Sequence, residues 1–170
     1  MAIKKIHIIG GSGSGKTYIG QILSKKLNIK IYDLDEIFWD NSSDSYGTKT
    51  DKNKRDKNLQ MILKSDSWII EGVFYSWLQD SFRKSDIVFI LKPNVYIRDW
   101  RIIKRFIKRK FGLIASKRES IKSLVDLLKW NHKYDNNNLK EAEKMIDELN
   151  PNKIIVENSL DILKIIDRYL

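Results

Sequence analysis

The sequence predicts an α/β protein with a five-stranded parallel sheet between two layers of helices. Five short apolar runs of strand length, at residues 6–9, 29–32, 68–70, 87–91 and 154–156, alternate with segments of helical periodicity. Strands that alternate with helices form parallel sheets covered on both faces. The length of 170 residues suits a single domain, residues 1–170.

The first apolar run leads into a glycine-rich segment that fits G-x-x-x-x-G-K-[ST] at every fixed position. The segment, called the phosphate loop below, consists of Gly10, Gly11, Ser12, Gly13, Ser14, Gly15, Lys16 and Thr17. Glycine allows a tight turn that aims several N–H groups at one anion, and apolar spacing predicts a helix over residues 16–27 whose positive end faces that anion. The lysine of this motif adds charge beside nucleotide phosphates, and its last hydroxyl can complete a Mg²⁺ shell. The alternative, a flexible Gly/Ser turn, is disfavoured by the flanking strand and helix.

Acidic residues follow the second and third predicted strands, at the edge of the sheet where ligands gather. Asp33 and Asp35 follow the second strand, and Glu71 and Gly72 follow the third. Asp33 is a candidate for positioning Mg²⁺ and Asp35 for orienting an acceptor hydroxyl, although Asp33 is equally suited to cap a short helix at residues 34–38. Glu71 is a candidate metal or acceptor ligand, or alternatively an ion-pair partner of an arginine. Gly72 would let a substrate approach the backbone closely.

Basic residues concentrate in segment 83–133, which carries 15 Lys and Arg against 4 Asp and Glu and so accounts for the formal net charge of +10. Residues 94–111 predict an amphipathic helix with an arginine row on one face: Arg98, Arg101, Arg105 and Arg109. The first three are candidate catalytic residues that close over a triphosphate and stabilise the transferred charge. The alternatives are a solvated basic face or a surface for nucleic acid. Trp100, among the aromatic and aliphatic residues of the other face, is expected to pack in the core or in a lid.

The rest of the composition narrows the class of protein. There is no cysteine, so disulfides and thiolate metal sites are excluded. No apolar stretch approaches the ~20 residues that span a bilayer, so we expect a cytoplasmic protein without a membrane segment. Residues 40–57 are polar and predict a surface loop. The oligomeric state stays open.

The ordered motifs resemble those of the adenylate kinase-related P-loop proteins. Within that group the sequence is most similar to the DNA topology modulation (FlaR-like) proteins. The strings that carry the resemblance are Ile-His-Ile-Ile-Gly at residues 6–10, Leu34-Asp35 with Trp39, Trp-Ile-Ile-Glu-Gly-Val at 68–73 and Ile-Ile-Lys-Arg-Phe at 102–106. The resemblance implies a nucleoside monophosphate kinase-type fold with a helical lid at about 94–133, and ATP and Mg²⁺ as ligands.

The acceptor half of the site departs from adenylate kinase. Glu71-Gly72-Val73-Phe74-Tyr75 stands where Asp-Gly-Phe-Pro-Arg is usual, which removes the arginine that binds a nucleoside monophosphate. Asp33 and Asp35 look more like the carboxylate pair of shikimate kinase-type enzymes.

The function that this resemblance favours is a small-molecule kinase with a nucleotide, nucleoside or polyol acceptor. The alternatives are a nucleotide-regulated DNA-binding protein that uses segment 83–133, and a nucleotide-binding scaffold without chemistry.

Overall fold

The computed structural model describes residues 3–40, 48–113 and 120–169. Its strands form one parallel sheet and are β1 (Lys5–Gly10), β2 (Ile31–Asp33), β3 (Trp68–Gly72), β4 (Ile87–Leu91) and β5 (Lys153–Val156). The spatial order is β2-β3-β1-β4-β5, so β1 lies at the centre of the five-stranded sheet. The predicted fold class is confirmed.

Helices connect successive strands, and a last helix follows β5. They are α1 (Lys16–Leu27), α2 (Leu34–Phe38), α3 (Lys52–Leu63), α4 (Gln79–Lys84), α5 (Val95–Lys110), α6 (Ile121–Tyr134), α7 (Lys140–Leu149) and α8 (Asp161–Ile166), with a π-helix (Asp135–Leu139) between α6 and α7. None of the helices in the described ranges is long and apolar enough to cross a membrane.

Alternate residues of the central strands feed two separate hydrophobic clusters, one on each face of the sheet. Ile6 and Ile8 of β1 pack on the face that carries α1 and α8, whereas Ile9 packs on the face that carries α3, α4, α6 and α7. Strands buried on both faces are apolar at nearly every position, which explains why β4 reads as the unbroken run IVFIL. The sheet thus fixes the positions of the loops at its carboxyl edge.

Residues 52–57 of the predicted 40–57 loop belong to helix α3, so the loop prediction is wrong for them. The Asp51 side chain accepts hydrogen bonds from the backbone N–H groups of Asn53 and Lys54 and caps α3. The apolar anchors of this helix, Leu59 and Leu63, are buried but lie beyond the polar window, so the window alone gave no helical pattern. Residues 41–47 of the predicted loop lie outside the described residues.

Helix α5 forms where the sequence predicts it, but its orientation differs from the expectation for Trp100. Arg98, Ile102 and Phe106 face inward, while the Trp100 side chain is 64% exposed. The prediction of core or lid packing for Trp100 is therefore wrong. The physical reason is that the arginine side of α5 lies against the phosphate loop, which turns the aromatic side toward solvent.

Candidate active site

The phosphate loop joins the central strand β1 to α1 and places an anion-sized cradle at the carboxyl edge of the sheet. Gly13 and Gly15 have φ angles of 74° and 104°, a left-handed backbone conformation that residues other than glycine rarely adopt. The buried Lys16 ammonium donates to the Gly11 carbonyl at 3.0 Å. Burial lowers the pKa of Lys16, against the opposing fields of Glu71 and the neighbouring aspartates. These features fit the phosphates of a nucleotide.

Arg98 does not line the pocket that the phosphate loop borders. Its guanidinium is fully buried and donates to both carboxylate oxygens of Asp135 in the π-helix, at 2.9 and 2.7 Å. The same residue supports the phosphate loop from behind. A Cβ atom at Gly11 would overlap Nη1 of Arg98, and one at Gly13 would lie 2.6 Å from the Arg98 carbonyl oxygen. The sequence predicts Arg98 as a candidate catalytic residue together with Arg101 and Arg105. In the structure Arg98 instead supports the phosphate loop from behind.

Arg101 and Arg105 do line the pocket. Nη1 of Arg101 donates to the carbonyl oxygens of Gly13 and Ser14, at 3.2 and 3.0 Å. Nη2 of Arg105 lies 3.4 Å from the Ser12 hydroxyl. Both guanidinium groups thus sit over the phosphate loop, where they can meet phosphate oxygens.

Three carboxylates face the phosphate loop from the ends of β2 and β3. Asp33 pairs in register with Glu71 across these strands, so the two residues are neighbours at the sheet edge. The Asp33 side chain accepts from the backbone N–H of Asp35 at 2.8 Å, which confirms its role as the cap of α2 and leaves it in the pocket lining. Thr17 donates its hydroxyl hydrogen to Glu71 Oε1 at 2.5 Å. The sequence prediction that these groups meet at one edge is confirmed.

The proximity of these acids changes their protonation. Burial, helped by the nearby charge of Asp33, raises the pKa of Glu71 to about 7 against the opposing charge of Lys16 and the hydrogen bond from Thr17. The carboxylate of Asp35 reaches solvent at the pocket mouth, yet the protein around it and the nearby Asp33 raise its pKa, while Lys16 and Arg105 oppose the shift. A carboxylate with a raised pKa is suited to accept a proton.

Packing against Leu34 explains why residue 72 is a glycine. A Cβ atom there would lie 2.8 Å from the side chain of Leu34, which is fully buried beneath it. Gly72 also borders the pocket, as the sequence predicts, but what approaches its backbone in the structure is Leu34.

The pocket has a volume of about 290 Å³. Its lining consists of Ser12, Gly13, Gly15, Lys16, Thr17, Tyr18, Asp33, Asp35, Glu71, Gly72, Val73, Arg101 and Arg105. Gly10, Gly11 and Ser14 belong to the loop but are buried behind this surface.

Sequence reasoning missed Tyr18 in the lining and missed the support of Arg98 by Asp135. Tyr18 could have been inferred from its place directly after the motif. Asp135 could not, because it lies 37 positions from Arg98 and carries no local pattern.

The residues present also fit a magnesium ion held together with nucleotide phosphates. Among the described residues no group of three or more His, Cys, Asp or Glu side chains could hold a metal by itself. Mg²⁺ bound to nucleotides takes only one or two protein ligands and completes its shell with phosphate oxygens and water. The Thr17 hydroxyl and the Asp33 carboxylate, which share the pocket, match that requirement.

Comparison with known proteins agrees with this geometry. A sequence model of the family described as shikimate kinase matches residues 12–59, which include the phosphate loop from Ser12 onward, both aspartates and α3 as far as Leu59. An uncharacterized Bacillus subtilis (strain 168) protein, YqaC, is 27% identical over 146 residues, which cover 85% of this chain and 80% of that protein.

Two solved structures extend the likeness to nearly the whole chain. A shikimate kinase from Acinetobacter baumannii in complex with shikimate superposes with a TM-score of 0.57 at 16% identity and covers 98% of this chain and 94% of that one. A sugar kinase from Janibacter sp. HTCC2649 gives a TM-score of 0.53 at 16% identity, with 98% of this chain and 91% of that one covered. At these identities the likeness shows the fold.

The comparisons do not support a nucleic-acid function or confirm the resemblance to DNA topology modulation proteins. In the structure, three arginines of α5 make contacts within the protein. Arg98 is buried in an ion pair, and Arg101 and Arg105 contact the phosphate loop. Much of the arginine row predicted in segment 83–133 therefore faces the chain's own phosphate loop.

Proposed function

We propose that the protein is an ATP-dependent kinase that phosphorylates a hydroxyl group of a small molecule. The observation that carries this proposal is one pocket whose lining brings the phosphate loop together with two arginines and three carboxylates. Phosphoryl transfer needs the phosphates held, their charge balanced and an acceptor oxygen aligned, and the lining supplies a group for each task.

The basic groups of the pocket would hold the donor. The backbone N–H groups of the phosphate loop and the Lys16 ammonium would bind the β- and γ-phosphates of ATP. Arg101 and Arg105 would stabilise the charge on the transferring group, because both already lie over the loop. Thr17 and Asp33 would hold a Mg²⁺ ion, which supplies further neutralisation of phosphate charge when bound.

The acidic groups of the pocket would prepare the acceptor. Asp35 is suited to accept the hydroxyl proton because its pKa is raised and it borders the pocket. The acceptor oxygen would form a bond to the γ-phosphorus, and the bond from that phosphorus to the ADP oxygen would break. The proton would move to Asp35, so the products are ADP and a phosphorylated acceptor. Glu71 would fix the Thr17 hydroxyl through the hydrogen bond between them.

An acceptor screen tests this function. Purified protein with Mg²⁺ and ATP is assayed for ADP release against polyols, sugars, nucleosides and nucleotides, with Lys16→Ala as the inactive variant. Lys25→Ala is the matched control, because this exposed lysine lies on the same helix away from the pocket. We expect at least one acceptor to raise ADP formation in the parent and in Lys25→Ala but not in Lys16→Ala. Equal rates in the parent and Lys16→Ala for every acceptor would reject the kinase function.

A further inference from the structure

The last turn of α6 and the first residue of the π-helix direct three side chains into the protein. They are Asn131, Tyr134 and Asp135, and their spacing of three and four residues places them on one face of the helix. Asn131 and Tyr134 are fully buried, and the Asp135 side chain keeps 21% exposure. The contacts of these residues, called the α6 face below, reach two separate parts of the site.

Two members of the α6 face act on the phosphate loop. Asp135 holds the buried guanidinium of Arg98, which lies behind Gly11. Asn131 donates from Nδ2 to Oδ1 of Asp99 at 3.0 Å, and its own Oδ1 lies 3.0 Å from the position that a Cβ atom of Gly11 would take. Helix α6 and the π-helix therefore fix the back of the phosphate loop.

Tyr134 reaches the end of β3 instead. Its hydroxyl donates to the Val73 carbonyl oxygen at 3.0 Å. Val73 directly follows β3 and lines the pocket together with Glu71 of that strand. Glu71 in turn accepts the hydrogen bond from Thr17 of the phosphate loop. Tyr134 thus holds the stretch of backbone that carries Glu71 into the pocket.

The Tyr134 side chain makes two contributions that can be separated. Burial, helped by the charge of Asp135, raises the pKa of Tyr134 above its ordinary range, so the hydroxyl keeps its proton and stays a donor. The ring belongs to a hydrophobic cluster of the core and lies 5.0 Å from the ring of Trp130, measured between centroids. A phenylalanine would keep the packing of the ring and lose only the hydrogen bond to Val73.

We propose that Tyr134 is a positioning residue of the kinase reaction, which acts through the Val73 carbonyl to set the end of β3 relative to the phosphate loop. This inference rests on the proposed kinase function and deepens it. Tyr134 and Asp135 are adjacent, so one short stretch of backbone joins the end of β3 to the Arg98 support. Phosphoryl transfer needs groups from both parts aligned, and a misplacement of about 1 Å can cost about 10²-fold in rate.

The variant Tyr134→Phe tests this role. Tyr169→Phe is the matched control, because Tyr169 lies beyond α8, is 48% exposed and is absent from the described pocket lining. Turnover is measured with the acceptor that the screen identifies, and binding of AMP-PNP with Mg²⁺ is measured by calorimetry. We expect Tyr134→Phe to lower kcat/KM for the acceptor at least about tenfold and to change the AMP-PNP affinity less than about twofold, since Asp135 still supports the loop. Tyr169→Phe should match the parent in both.

Hydrogen exchange of the unliganded protein gives a readout that needs no acceptor. The amides of residues 71–75 should exchange at least about fivefold faster in Tyr134→Phe than in the parent, because a lost hydrogen bond loosens the segment that it held. The amides of residues 10–17 should keep their rates, because Asp135 still holds Arg98. Tyr169→Phe should leave both segments unchanged, and urea unfolding verifies that both variants are folded under the assay conditions.

The outcomes separate this inference from the kinase function. Parent values of kcat/KM in Tyr134→Phe, or parent exchange in residues 71–75, would overturn the role of Tyr134, while an inactive Lys16→Ala would leave the kinase function standing. A loss of unfolding free energy with unchanged turnover would show that the hydroxyl serves folding alone and would also overturn it. An AMP-PNP affinity that falls as far as kcat/KM would place the effect in nucleotide binding and contradict the proposal. If the parent and Lys16→Ala release ADP equally with every acceptor, the kinase function fails and the inference fails with it.

Discussion

Gly11 stands at a position that the phosphate-loop motif leaves free, yet the structure predicts that alanine there is damaging. A Cβ atom would overlap Nη1 of Arg98 and lie 3.0 Å from Oδ1 of Asn131. Arg98 is fully buried and held by Asp135, so it cannot move away without weakening a buried ion pair. Overpacking of a tight site costs about 1–3 kcal/mol, and disruption of a buried pair costs about 3–5 kcal/mol. Because Asp135 retains 21% exposure, we expect Gly11→Ala to lose about 2–4 kcal/mol of unfolding free energy.

A double-mutant cycle isolates the contact. Urea unfolding and binding of a fluorescent ATP analogue are measured for Gly11→Ala in the parent and in an Arg98→Met/Asp135→Asn background. We expect the cost of the alanine to fall below about 1 kcal/mol in that background, since the guanidinium is gone. Gly13→Ala is the control, because its Cβ would meet the Arg98 backbone carbonyl, which both backgrounds keep. An equal cost of Gly11→Ala in the two backgrounds would refute the proposed support of the loop by Arg98.

Three further predictions concern the protonation of Glu71 and His7, the pocket residue Arg101, and the outer face of α5. The pKa of Glu71 is raised from its ordinary 4.5 to about 7 in the folded protein. The stability that the protonated Glu71 side chain contributes is therefore fully present below pH 4.5 and is lost as the pH rises through 7. Burial lowers the pKa of His7 from 6.5 to about 3, so its contribution is present above 6.5 and is lost as the pH falls. In urea unfolding, Glu71→Gln should therefore gain stability relative to the parent as the pH rises from 4.5 to 7, and His7→Gln should gain it as the pH falls below 6.5. Each gain should reach up to about 1.4 kcal/mol per pH unit. Plots of unfolding free energy against pH that run parallel for parent and variant would contradict the pKa shifts. Arg101→Met should weaken binding of Mg²⁺ and ATP about tenfold in calorimetry, while Lys25→Met should not, and unchanged affinity would count against a role of Arg101 in binding ATP. Trp100→Ser should change the unfolding free energy by no more than about 0.5 kcal/mol, because that ring is 64% exposed, and a larger loss would show that it packs against the protein.

The parts of the molecule that local sequence determines could be predicted, and the parts that depend on distant partners could not. The phosphate loop follows from contiguous residues, and the carboxylates of Asp33 and Glu71 were located by the rule that parallel strands share one functional edge. The helical periodicity of α5 defined two faces but did not say which one would be buried. That choice depends on Asp135, which pairs with Arg98 across the gap between two helices. The arginine row therefore looked uniform in sequence, although one member is a buried support and two face the pocket.

The central place of β1 in the sheet has a consequence for synthesis of the chain. The phosphate loop is made early, but β1 gains its neighbours only when Trp68 and Ile87 have emerged, since these residues pair with Lys5 and Ile6. Arg98 follows, and its carboxylate partner comes still later, at Asp135. A nascent or truncated chain that stops before the π-helix thus carries the full nucleotide-binding motif without the packing that shapes it. Such a chain lacks the carboxylate that holds Arg98 behind Gly11, so the shape of the loop depends on residues made long after the motif itself.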